Sequence, residues 1–184
     1  VVACDFRSAP TALRERLAEK KILVSDGAWG TQLPVRGLEP GECPELWNVT
    51  HPERVRSVAE GYVAAGSDMI LTNTFGGSPP ALRRHGLEER TEELNAAGAR
   101  ISLEAVAGRP GKVLVAASIG PTGELLQPLG ALSEAELSEA FRRQVRALVA
   151  AGVRLLCIET MTAIEEASCA VRAAREVERE LGVA

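Results

Sequence analysis

Four times in this sequence a short apolar run closes on polar residues and leads into a helix-compatible segment. The runs are Ile22–Ser25, Met69–Thr72, Lys112–Ala117 and Val153–Ile158. Strand and helix in alternation leave few folds: parallel strands joined by right-handed crossovers, with helices laid over the sheet. Aromatic residues make up 3% of the chain against 46% hydrophobic, so the core is aliphatic, as suits buried parallel strands under Ala-rich helices. The fold class is therefore α/β. With 184 residues the chain is long enough for one domain with a real core and short for a typical complete eight-stranded barrel.

The helices read from their periodicity. Pro10–Lys20 predicts an extra N-terminal helix, and 34–48, rich in Gly, Pro and Glu, a long loop. Thr50-His51-Pro52-Glu53 reads as a capping box for a helix that buries Val55, Val58, Ala59, Tyr62 and Val63 and stops at Gly66. A short helix from Ser78–Pro79 stops at Gly86. A longer one over 88–106 turns Leu94, Ala97, Ile101 and Ala105 inward, and 108–111 is a turn. Ser133–Glu136 is a second capping box, before a helix burying Leu137, Phe141, Val145 and Leu148. Thr162 with Glu165 caps a last helix carrying Ile164, Ala167, Val171 and Ala174.

In such folds ligands bind at the C-terminal ends of the strands, so the residues there are the site candidates. They are Asp26-Gly27, Asn73-Thr74, Ser118-Ile119-Gly120 and Glu159. Two carboxylates can hold an ammonium group, act as acid and base, or bind a hard cation. The Ser118–Gly123 turn offers amide N–H groups and hydroxyls to a carboxylate or phosphate. Residues 64–74 line up with 150–160, which places Asn73 and Glu159 at equivalent points on the second and fourth strands. His51 and His85 read as surface residues.

The net charge of −4, without a basic cluster, argues against nucleic acid or an anionic membrane as partner. No apolar run approaches the roughly 20 residues that span a bilayer. Cys4, Cys43, Cys157 and Cys169 form no CxxC pair and read as buried free thiols of a cytoplasmic protein. A first residue of Val suggests a start upstream.

Together, Asp26–Leu33, Asn73–Gly76, Ser118–Gly123 and Ile158–Met161 resemble the homocysteine-binding domain of the homocysteine S-methyltransferase family. That family includes the N-terminal module of cobalamin-dependent methionine synthase and betaine–homocysteine methyltransferase. The resemblance runs from Ile22 onward, in the right order. It implies a (β/α)8 TIM-type barrel of which the first four βα units are present, with residues 1–184 the N-terminal part of one barrel domain and no second domain. It further implies a zinc ion that binds the homocysteine sulfur and presents a thiolate to an activated methyl group, giving methionine. By position, Asp26 and Glu159 would orient the amino end of homocysteine and the Ser118, Ile119 and Gly120 backbone would meet its carboxylate. Gly27, Asn73 and Thr74 would line the pocket.

The family's zinc is held by three cysteines on later strands, and no cysteine here matches them, so those ligands are expected beyond residue 184. Trp29 stands where the family often has Met. The expectation is thus a substrate-orienting half-site, inactive alone, whose partner is the missing C-terminal half-barrel. The methyl donor stays open among betaine, a sulfonium compound, and a corrinoid or folate supplied through other modules. Two further readings compete: a non-catalytic half-barrel that needs a partner chain, and an unrelated α/β-barrel enzyme using Asp26 and Glu159 with magnesium and a phosphorylated substrate.

Overall fold

The computed structural model describes residues 11–108 and 112–182, so Cys4 and the turn at 109–111 lie outside the described residues. Helix α1 (Thr11–Lys20) precedes α2 (Trp29–Val35), α3 (Trp47–Thr50) and α4 (Pro52–Ala65). Strand β1 (Met69–Leu71) leads to α5 (Pro79–Arg83) and α6 (Thr91–Val106). Strand β2 (Leu114–Ile119) leads to α7 (Glu134–Ala150), and β3 (Leu155–Ile158) to α8 (Ile164–Leu181). The sheet runs β1-β2-β3, all parallel, with Ile70 paired to Val115 and Ser118 to Cys157.

Four strands are expected from the sequence; among the described residues three form. The Ile22–Ser25 run pairs with β1 only through a bridge between Ser25 and Met69. Its ladder starts normally, with the Met69 amide donating to the Val24 carbonyl and the Asp26 amide to the Met69 carbonyl. The next rung is taken by a side chain, since the Leu71 amide donates to Asp26 Oδ2 at 2.8 Å. Strand β2 begins and ends two residues later than its apolar run suggests, so Ser118 and Ile119 lie in the strand itself.

The main core lies between the sheet and helices α7 and α8. Ala117 and Ile119 meet Leu137, Phe141, Val145 and Leu148, as the period of α7 predicts, and Cys169, Ala173 and Val177 of α8. On α8 the expected stripe is one position off: Ile164 is 77% exposed, while Glu166, Cys169, Ala170 and Ala173 face inward. The reason is a polar anchor inside the stripe, the Glu166 carboxylate described below. Helix α6 likewise turns Asn95 and Ser102 inward beside Leu94 and Ile101.

Of the three expected caps, Ser133 forms its box, with both reciprocal Ser133–Glu136 contacts present. Thr50 instead closes α3, and α4 starts from His51 with Pro52 in its first turn, where proline's missing N–H costs little. Helix α8 starts from Ala163, without a side-chain cap. Part of the expected 34–48 loop is helical, through the end of α2, a 3₁₀ turn over Pro44–Leu46 and the start of α3. His51 is half-buried and stacks on Trp47 with ring centroids 4.7 Å apart, whereas His85 is exposed.

Helix α1 is tied to the sheet's lower end. Asp68 accepts from Lys20 Nζ (2.6 Å), Arg16 (3.1 Å) and the Val24 amide (3.1 Å). The Lys20 hydrogen bond, then the Val24 amide, holds the Asp68 carboxyl below the usual carboxylate range. The helix–turn–strand repeat is real in space: Gly66 and Gly152 both end their helices at positive φ, +97° and +107°.

Candidate functional site

At the C-terminal ends of the strands a cavity of about 330 Å³ opens, walled by Gly27, Trp29, Glu45, Asn73, Ser118 and Glu159, with Phe75 at its side. Asn73 and Glu159, equivalent in the repeat, both face it. Ser118 Oγ donates to Glu159 Oε1 at 2.6 Å, a charge-assisted bond that fixes one carboxylate oxygen and leaves Oε2 without a partner among the described residues. Immediately after Glu159, Thr160 sits at φ +58°, a left-handed conformation that a β-branched residue adopts at a cost of about 1–2 kcal/mol. Strain of this kind gathers at functional sites.

Of the sequence candidates, Gly27, Asn73, Ser118 and Glu159 share the cavity wall. Asp26 stands behind it. Its Oδ2 accepts from the Leu71 amide and from Trp29 Nε1, each at 2.8 Å, and its Oδ1 accepts from Ser25 Oγ. Tyr62 of α4 braces the same turn, its hydroxyl donating to the Ala28 carbonyl at 3.2 Å. A Cβ on Gly27 would lie 3.0 Å from that hydroxyl, so a side chain there would press the tyrosine out of place.

Thr74 and Ile119 lie off the cavity, both fully buried. Thr74 Oγ1 donates to the Ser118 carbonyl at 2.8 Å, so in its 2.5 Å contact with Thr72 the proton comes from Thr72. Thr72 Oγ1 also accepts from the Ser118 amide. The two hydroxyls therefore staple the ends of β1 and β2 together. Ile119 points into the helix-side core. At Gly120 the amide donates to the Phe75 carbonyl, and a Cβ there would come within 2.6 Å of the Phe75 ring.

What the sequence reading missed is the buried amide framework under the 73–77 loop. Asn48 Nδ2 holds the Asn73 carbonyl, Asn95 Nδ2 the Gly77 carbonyl and Gln144 Nε2 the Thr74 carbonyl, all within 2.8 Å. The available signal was a polar residue at an inward helical position, as Asn95 and Gln144 are on α6 and α7. Glu45, 5% exposed, is a second acid on the wall; it accepts from the Gly76 amide at 2.7 Å. Glu166 reaches from α8 to take both the amide and the hydroxyl of Thr122, at 2.8 and 2.7 Å, folding the 120–124 loop down.

The sequence pattern of the homocysteine S-methyltransferase family matches residues 23–183. The chain belongs to the homocysteine S-methyltransferase family. It is 34% identical over 175 residues to homocysteine S-methyltransferase YbgG of Bacillus subtilis, covering 84% of this chain and 55% of that one. It is 30% identical to methionine synthase of Mycobacterium tuberculosis over 95% of this chain and 15% of that protein. Crystal structures of the homocysteine methyltransferase MmuM from Escherichia coli superpose with a TM-score of 0.75 at 28% identity, in oxidized and metallated forms. Each MmuM comparison covers 64% of that chain, so this chain spans about half to two thirds of YbgG and MmuM and a sixth or less of the methionine synthases.

A metal in such a protein needs converging donors. Among the described residues no three His, Cys, Asp or Glu side chains gather to hold one. Cys43, Cys157 and Cys169 are free and lie on different segments, beside Glu45, on β3 and on α8. Burial, then the Glu45 charge, pushes the Cys43 thiol up to about 12, and burial, then Glu159, raises Cys157. The cavity donors are carboxylates, hydroxyls and amides, so these residues do not fit a thiolate-activating zinc.

Proposed function

We propose that this protein is a homocysteine S-methyltransferase and that the cavity holds the amino-acid end of homocysteine. The observation that carries this reading is Glu159, held by Ser118 on the wall with one carboxylate oxygen unengaged among the described residues. An ammonium group docked there gains a charge-assisted hydrogen bond in a partly dry site, the kind that contributes most to recognition. The carboxylate of the ligand meets the Ser118–Gly120 side, where the turn to Thr122 is pinned by Glu166. Gly27 and Asn73 complete the wall, with Asn73 fixed by its donation to the Pro44 carbonyl at 2.8 Å. These residues bind and orient; the thiol then projects outward to the donor.

In the same reading the three strands and the Ser25 bridge are consecutive strands of a (β/α)8 barrel, of which this chain forms the N-terminal part within one domain. The coverage of MmuM supports that. Zinc belongs to the reaction but not to these residues, so no step is derived through it. A free homocysteine thiol favours a reducing compartment, and the cytoplasm is its place. The described helices include none long and apolar enough to cross a membrane.

Calorimetry with homocysteine and with a simple phosphate ester tests the proposal. Saturable binding of homocysteine that Glu159→Gln weakens about tenfold supports it. Binding of the phosphate ester with magnesium, and none of homocysteine, contradicts it.

A further inference from the structure

Gln144 sits fully buried on the inward face of α7, 70 residues along the chain from the loop that it touches. Its Nε2 donates to the Thr74 carbonyl at 2.8 Å and to Asn95 Oδ1 at 3.2 Å. Acceptors that cannot donate fix the orientation of both amides. Asn95 Nδ2 gives its two hydrogens to the Gly77 and Thr91 carbonyls, each at 2.7 Å, so Asn95 Oδ1 faces Gln144. Gln144 Oε1 is buried and has no partner among the described residues. The Thr74 carbonyl already accepts the Gly77 amide at 3.0 Å, so its need is met without Gln144. The side chain thus satisfies Asn95 Oδ1 and leaves its own oxygen unsatisfied, a poor exchange for stability alone.

The loop supplies the reason. Thr74 is clamped twice, its carbonyl by Gln144 and its hydroxyl on the Ser118 carbonyl. Asn73 and Phe75, on either side of it, are on the cavity wall. Beneath the loop there is no clearance. A Cβ on Gly77 would lie 2.3 Å from Asn95 Oδ1, and one on Gly98 2.8 Å from the Thr74 methyl group. A loop seated this closely moves only if the amides under it move. We propose that Gln144 is a positioning residue of the strand-end cavity: from α7 it grips the Thr74 carbonyl and Asn95, fixes the 73–77 loop, and so sets the Asn73–Phe75 side of the wall. The inference rests on the homocysteine reading for its ligand, while the placement of the loop does not.

Three variants separate positioning from support. Gln144→Met keeps the length of the side chain and removes both N–H donors. Gln144→Glu keeps the shape. Buried against two oxygens, its carboxyl holds its proton at mildly acid pH and gives one O–H to the Thr74 carbonyl; once ionised it has no hydrogen to give. Ser133→Ala weakens the same helix at its cap, off the cavity wall. For each, homocysteine affinity is measured by calorimetry well below the unfolding temperature, and ¹H–¹⁵N shifts are recorded without ligand.

Gln144→Met is expected to move the ligand-free resonances of Asn73 through Gly77 and to weaken homocysteine about tenfold. Gln144→Glu is expected to match the wild type at mildly acid pH and to fall away from it as pH rises, and it carries the test if Gln144→Met does not fold. Ser133→Ala is expected to lower the unfolding temperature with affinity unchanged. A lower unfolding temperature in Gln144→Met with wild-type affinity would make Gln144 a mere support and overturn the proposal. So would an equal loss of affinity in Ser133→Ala, or a Gln144→Glu profile that tracks the wild type at every pH. If the wild type binds no homocysteine, the homocysteine reading fails and the ligand-free shifts of Gln144→Met decide the placement: movement at Asn73 and Phe75 supports it, and movement confined to α7 overturns it.

Discussion

At the scale of single residues, the site is shaped by side chains that stand in for backbone. Asp26 completes a rung of the sheet, Thr72 and Thr74 bridge two strand ends, and Glu166 holds a loop. Thr74→Val is expected to destabilise the fold by about 1–3 kcal/mol, because it leaves the buried Ser118 carbonyl without that donor; chemical denaturation measures it. Thr160→Gly is expected to raise stability by up to about 1 kcal/mol, since glycine adopts the left-handed conformation without the Cβ penalty. The same denaturation experiment reads that gain. The sequence made the strand-end candidates visible through their position after apolar runs. It could not reveal that Thr74 turns away from the cavity while Thr72 borders it, because that depends on where pairing stops. Nor did Glu45 stand out, since a 3₁₀ turn of three residues carries no periodicity.

At the scale of elements, helix periodicity was readable where the inward stripe is wholly apolar. On α7, Leu137, Phe141, Val145 and Leu148 all face the core as their period predicts, and Ser133 caps the helix as its spacing suggests. Ser133→Ala is expected to cost about 1 kcal/mol, seen as a lower unfolding midpoint. On α8 the inward stripe lies one position from the apolar period because a buried glutamate interrupts it, and apolar periodicity has no way to score Glu166 as an inward residue.

The tie between α1 and the sheet makes a pH-dependent prediction. The folded-state pKa of Asp68 is depressed, so its contribution is fully present above the ordinary carboxylate value near about 4. The contribution is lost as pH falls through the lowered value. Asp68→Asn is therefore expected to lower stability at neutral pH and to flatten the acid limb of a stability–pH curve, measured by thermal unfolding across that range.

At the scale of the whole molecule, the described sheet has an open edge on each side. Ile22 and Val24 are 75% and 59% exposed, and every residue of β3 is only half-buried. Exposed apolar edges recruit other strands. Val24→Lys is expected to reduce self-association of the chain in sedimentation experiments. The α/β class and the order of elements were legible from alternation alone. The family resemblance rested on four strand-end motifs in sequence, and the match over residues 23–183 places the chain in that family.

Homocysteine binding in the strand-end cavity is tested most directly by mapping amide and indole shifts in a ¹H–¹⁵N NMR titration. Homocysteine is expected to move the resonances of Gly27, the Trp29 indole, Asn73, Ser118 and Glu159 together, with one saturation curve. Shifts confined to the separate groove lined by Gln127, Ser168 and Arg172, with the cavity resonances unmoved, would contradict it.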